Sequence, residues 1–269
     1  DLTYIHLTSI SYDDARSSTM SGDSEKENFL LPTLFLVSPN YADFRFGLSI
    51  TEPFGLAKRW KDPYPRTFSE KFSLVTVEVN PTVSYMISDK FSVAGGVRML
   101  YSHGQAIMNG VITSSGVSPY QDLDADSIDW GYNLAAAFKP TEESNISVTY
   151  RSQIDMSLEG DVTLVTNTGP FNRLSMNASS DSFVAPAVLA ISGSYTFDKL
   201  TLELTIDRTF WSAYEDLLIE YDSTPLNPVL AAAGGPHAKN WDDTNAYRLG
   251  VSYEMNDELT LMGGLAYDE

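Results

Sequence analysis

The sequence predicts an all-β chain, an antiparallel transmembrane β-barrel, and three observations predict it. Ten chain reversals alternate strictly between short and long. Most of the segments between them alternate apolar and polar residues with period two, which puts one row of side chains on each face of a strand. No apolar run reaches the roughly 18 residues that a helical span requires. Short turns at one end, long connections at the other and amphipathic strands between them are the plan of outer-membrane barrels; a sandwich scatters its loop lengths over both ends.

The short reversals are residues 39–43, 88–90, 139–145, 198–199 and 256–258, and the long ones 13–28, 53–69, 102–126, 156–182 and 212–245. The strands follow in order. Residues 2–12 and 29–38 alternate least regularly, and Phe44–Thr51 follows them. Val75, Val77, Val79, Val83 and Tyr85 then oppose Thr76, Glu78, Asn80, Thr82 and Ser84. The clearest case is 91–101: Phe91, Val93, Gly95, Val97, Met99 and Tyr101 share one face, and Ser92, Ala94, Gly96, Arg98, Leu100 and Ser102 the other. Residues 128–138, 146–151, 187–197, 200–210, 247–253 and 259–267 repeat the pattern. In each, the apolar row is assigned to lipid and the polar row to the lumen.

These strands number eleven. Single-chain bacterial barrels usually have an even count, and an open edge in lipid leaves backbone groups unsatisfied, so further strands are expected after Glu269. Residues 1–269 read as a single barrel domain, part of a larger one.

Composition narrows the function. A formal charge of −19 disfavours a nucleic-acid partner, because phosphate binding requires clustered Lys and Arg. The acid gathers in the long reversals, at Asp122, Asp124, Asp126, Glu215, Asp216, Glu220, Asp242 and Asp243, as suits a solvated outer face. A divalent-cation bridge to lipopolysaccharide would be an addition to that. Cysteine is absent, so disulfides and thiolate metal sites are excluded. The 15 tyrosines and 13 phenylalanines are enough to build interfacial girdles.

Inward parity also collects charge: Arg45, Glu78, Arg98, Asp129, Arg151, Glu203, Asp207 and Arg248. Both signs occur, so mutual pairing is expected, with capture of a ligand carboxylate by one arginine as the functional alternative. The long reversals are unusually apolar. The third holds Ile107, Met108, Val111, Ile112, Val117 and Tyr120, the fourth Leu164, Val165, Phe171, Leu174 and Met176, and the fifth Leu217, Leu218, Ile219, Tyr221, Leu226, Val229 and Leu230. Such content either packs on itself or holds an apolar ligand.

Catalytic constellations are thin. His6, His103 and His237 lie in different elements, and Ser102-His103 with Asp122 has no supporting spacing. Asp122-x-Asp124-x-Asp126 opens like an EF-hand loop, but Ser127 and Asn133 occupy the glycine and glutamate positions. No catalytic residue, metal site or cofactor is assigned.

Several strings carry a family likeness. Glu52-Pro53-Phe54-Gly55-Leu56 after Phe46-Gly47-Leu48-Ser49-Ile50 resembles the "PFG" segment of the FadL/TodX family of outer-membrane transporters of hydrophobic compounds. Residues 79–85 resemble its "NPSVAY" strand, Tyr150-Arg151-Ser152 with Leu158-Glu159-Gly160 its "YRS…G" segment, Ala246-Tyr247-Arg248 its "AYR" block and 263–268 its "GxxYD". The matches run in the family's order over about residues 44–269.

The resemblance implies a barrel of about 14 strands, of which 11 are present, and an N-terminal hatch that this chain lacks. It implies passive uptake of long-chain fatty acids or hydrocarbons in the bacterial outer membrane by a monomer, with no energy source or cofactor. The ligand would be caught in a groove between the third and fourth long loops and leave sideways through the wall. Ile107, Met108, Val111, Ile112, Leu164, Phe171 and Leu174 are the expected groove residues, and Arg151 the expected partner of an acidic headgroup. A basic residue that some fatty-acid members place before "AYR" is replaced by Thr244 and Asn245, which leaves room for neutral or aromatic hydrocarbons. The alternatives are a structural or adhesive barrel with self-packed loops, and a barrel hydrolase.

Overall fold

The computed structural model describes residues 1–112, 115–231 and 234–269. Ten strands follow one another across a single antiparallel meander: Leu34–Val37, Phe44–Thr51, Lys71–Ser88, Phe91–Asn109, Tyr120–Phe138, Ser144–Arg151, Val188–Phe197, Leu200–Thr209, Thr244–Asn256 and Leu259–Asp268. Leu2–Leu7 pairs with Glu27–Pro32 in a separate hairpin, which leads through Thr33 into the first edge of the sheet. Every segment expected from the alternation therefore contains a strand. Among the described residues the two edge strands, Leu34–Val37 and Leu259–Asp268, are not paired with each other.

Parity is as the sequence dictates. Thr76, Glu78, Asn80, Arg98, Leu100 and Ser102 are buried on the inner face, while Val83, Val97, Leu134, Ile146, Ile191, Leu204 and Leu249 lie exposed outside. Two rows of exposed aromatics bound this apolar band. Phe44, Tyr85, Phe91, Phe138, Tyr195 and Phe197 sit beside the short turns, and Tyr101, Trp130, Tyr132, Tyr247 and Tyr267 nearer the long connections. Phe138 to Trp130 spans about 26 Å along the strand, which at barrel tilt approaches the height of an outer-membrane apolar band.

The long reversals differ from the loops expected of them. Lys71–Ser88, Phe91–Asn109 and Tyr120–Phe138 continue well past the apolar band, so that Asn109 still pairs with Tyr120. Residues 156–182 form a hairpin of Ile154–Val165 with Arg173–Ala185. Its first strand pairs with Tyr120–Phe138 from Asp126↔Glu159 to Tyr120↔Val165. The reason lies in the same alternation: Leu158, Val162 and Leu164 point to one side and Glu159, Asp161 and Thr163 to the other, so the pattern that builds the wall continues in water. The third and fourth long connections are thus joined in one continuous sheet.

The reversal 53–69 holds a short strand, Gly55–Arg59, and the helix Pro63–Phe68. Pro63 sits at the helix start, where a missing N–H leaves no bond unmade.

Candidate functional site

The inner face is layered, and cross-strand register sets the layers. At the short-turn end a polar pocket of about 310 Å³ is lined by Asn40, Arg45, Ser84, Lys90 and Lys139. Further in, Asn80 Nδ2 donates to Asn133 Oδ1 at 2.9 Å and to the Val97 carbonyl at 2.7 Å, tying three strands together.

Above this lies a charged trio. Arg98 Nε donates to Glu78 Oε2 at 2.9 Å, and Arg151 Nη2 lies 2.7 and 2.9 Å from the two Glu78 oxygens. Arg98 Nη1 donates to the Ser152 carbonyl at 2.5 Å. Glu78 and Arg98 are 0% and 1% exposed, whereas the Arg151 side chain is 36% exposed. Two guanidiniums share one carboxylate, so the trio keeps one net positive charge, and Arg151 is its open member. Asp207 pairs with Arg248 elsewhere on the same face. The expected mutual pairing of inward charges is present at these residues.

The next layer is hydroxyl. Thr76, Ser102 and Ser127 are direct cross-strand neighbours and all buried, and the Ser102 Oγ has no partner among the described residues. Above it the surface turns apolar. Phe72, Leu74, Ala106, Leu123, Ala125, Leu158, Phe183 and Ile219 line a narrow apolar seam.

A second apolar space lies beside a break in the ladder. Phe44–Thr51 pairs with Lys71–Ser88 down to Thr51↔Glu78, and pairing resumes only at Gly55↔Val75. Three residues, Glu52, Pro53 and Phe54, face two, Thr76 and Val77, so the strand bulges inward, and Pro53 has no N–H to join a ladder. The preceding hairpin does not follow the bend. A cleft of about 380 Å³ is left between Ile5, Leu7, Phe29 and Leu31 on one side and Pro53, Phe54, Leu56 and Val75 on the other.

The expected groove residues separate by parity. Met108, Gln121, Leu164 and Leu174 form one cross-strand row. Leu164 is fully buried in a cluster with Val162, Ala178 and Leu230, against which Leu174, Ile219 and Tyr221 pack. Ile107 falls in the opposite row, beside Asp122 and Thr163. Ile112 bridges to Val117 in the hairpin tip, and Val111 and Phe171 are exposed. The structure therefore brings Met108, Leu164 and Leu174 together and leaves Ile107, Val111, Ile112 and Phe171 apart. Burial pushes the Tyr221 phenol up to about 12, and its hydroxyl is buried with no partner among the described residues.

Ser102 and His103 lie on opposite faces of one strand, so they do not form a hydrolytic pair; His103 Nδ1 instead lies 3.9 Å from Asp124 Oδ1. Asp122, Asp124 and Asp126 run along a straight strand and do not wrap an ion.

A sequence model described as outer membrane protein transport protein (OMPP1/FadL/TodX) matches residues 3–269. The chain belongs to this family. The FadL/TodX-family chain is 24% identical to outer membrane protein P1 of Haemophilus influenzae over 302 residues, covering 98% of this chain and 63% of that protein. It is 24% identical to a long-chain fatty acid transport protein of Escherichia coli over 293 residues, covering 94% and 64%. The chain thus spans about three-fifths of the length of these relatives.

Among solved structures, a Pseudomonas aeruginosa FadL homologue superposes with a TM-score of 0.79 at 23% identity, covering 93% of this chain and 61% of that one. The Pseudomonas putida toluene transporter TodX superposes with a TM-score of 0.78 at 18% identity, covering 100% and 73%. The FadL/TodX likeness establishes the fold as an outer-membrane barrel wall, and the family places it in the outer membrane of Gram-negative bacteria.

Sequence reasoning named the FadL/TodX "PFG" string without seeing that it breaks the wall. The signal was available: Pro53 inside an alternating strand marks a bulge or an edge. Phe72, Leu74, Ala106 and Leu123 were also missed, because they share the inward parity of Thr76, Ser102 and Ser127 but lie inside or beside reversals read as loops.

Proposed function

We propose that this chain forms the wall of a passive outer-membrane channel that takes up hydrophobic compounds and releases them sideways into the bilayer. The cleft beside Glu52–Phe54 supports this reading: an apolar space of about 380 Å³ where the ladder breaks between Thr51↔Glu78 and Gly55↔Val75. That volume lies within the range of small-molecule sites. Transfer from the apolar inner face to lipid hydrocarbon keeps the ligand out of water throughout, so partitioning alone drives the last step. The names of the relatives, a fatty acid transporter and a toluene transporter, support the substrate class.

Loop residues contribute in two ways. Met108, Leu164 and Leu174 belong to the apolar upper face, and Ile107, Val111, Ile112 and Phe171 to the outer rim that a ligand meets first. Arg151 favours an acidic headgroup, since it is the half-exposed member of a trio with one uncompensated positive charge. The test is uptake of radiolabelled oleate and toluene by cells producing the full chain. Filling the cleft by Leu31→Trp should abolish uptake of both, and Arg151→Met should lower oleate uptake alone. Undiminished uptake by the Leu31→Trp variant would exclude the lateral route.

A further inference from the structure

We propose that Phe54 and Leu74 form the gate between the apolar seam and the lateral cleft, and that Thr76 is the positioning residue that latches it. The proposal rests on the lateral route above. Residues 52–54 lie outside both flanking ladders, so the two backbone groups of Phe54 have no strand partner there. The Thr76 hydroxyl takes both: it accepts from the Phe54 N–H at 3.2 Å and donates to the Phe54 carbonyl at 2.6 Å. Thr76 is fully buried, so no water competes for these bonds. One side-chain hydroxyl therefore sets where Phe54 sits.

The position matters because of what lies on either side. Phe54 and Leu74 pack against the buried cluster of Leu100, Ile154, Met156 and Ala185. Leu74 lines both the seam and the cleft, so the partition between the two spaces is one side chain thick. Displacing Phe54 breaks its two bonds to Thr76 and its packing while leaving both flanking ladders paired. The gate opens at a point the wall does not need for its own pairing.

Thr76→Val replaces the hydroxyl with a methyl of similar shape. Valine removes both bonds, and the net loss of even one of them shifts the closed-to-open balance roughly fivefold. The experiment measures initial uptake of radiolabelled oleate and toluene by cells producing the full chain. Thr76→Val and Phe54→Ala should each raise the rate several-fold, and Thr76→Ser, which restores the hydroxyl, should return it to the wild-type value. Phe54→Ala answers the question if the valine variant fails to assemble. Rates at or below wild type in both variants, with uptake still blocked by Leu31→Trp, would overturn the gate and leave the route standing. Unblocked uptake in Leu31→Trp would overturn both.

Discussion

Glu78→Gln is the sharpest probe of the lumen's electrostatics. The wild-type carboxylate receives Arg98 Nε at 2.9 Å and Arg151 Nη2 at 2.7 and 2.9 Å, with both Glu78 and Arg98 out of contact with solvent. The amide keeps the shape but removes the charge and offers one acceptor where there were two. Arg98 is then a buried cation facing a second cation, a situation that typically costs about 3–5 kcal/mol. The remaining amide oxygen still accepts one bond, so the lower end, about 3 kcal/mol, is expected. Urea unfolding in lipid vesicles, followed by tryptophan fluorescence, reads this as a fall in the midpoint at unchanged slope. Asp207→Asn is the control: its partner Arg248 is 46% exposed, and such a pair is worth at most about 1 kcal/mol. Glu78→Gln with Arg98→Met should recover much of the loss, since the buried cation is then gone and only Arg151, 36% exposed, is left without its carboxylate. A Glu78→Gln variant no less stable than Asp207→Asn would refute the reasoning.

Three other outcomes follow from packing. Leu164→Ala should destabilise by about 2–5 kcal/mol, whereas Phe171→Ala, at an exposed loop tip, should stay within about 0.5 kcal/mol; the same unfolding assay compares them. Tyr221→Phe should be neutral or stabilising by up to about 1 kcal/mol, because it removes a buried hydroxyl with no partner among the described residues. Gly160→Ala should loosen the upper hairpin: its new methyl would meet the Asp124 carbonyl and lie 2.6 Å from the Ala125 Cα, so amide exchange should quicken along Ile154–Val165.

How far the sequence reveals this molecule depends on which interactions are local. Strand faces are legible because parity is a local property: Val97 beside Arg98 already states which row meets lipid. The identity of the pairs is not. Arg98 and Glu78 are twenty residues apart in the chain and Arg151 much further from Glu78, so the sequence shows inward charges without showing which of them share a carboxylate. The upper hairpins are half legible. Their apolar content was plain, but Ile107 and Met108 are adjacent in sequence and opposite in space, and that follows only from treating the stretch as strand. The cleft was the least legible feature. It arises from a mismatch of one residue between two strands, which appears only when Thr51↔Glu78 and Gly55↔Val75 are both known.

The lateral route is tested most directly by photolabelling. A fatty acid carrying a terminal diazirine, activated during uptake by the full chain in the outer membrane, leaves its adducts along the path it takes. The lateral route predicts adducts on Ile5, Phe29, Leu31 and Leu56 around the cleft. Adducts confined to the pocket at the short-turn end, on Arg45, Ser84 and Lys90, would show a straight passage through the lumen and contradict it.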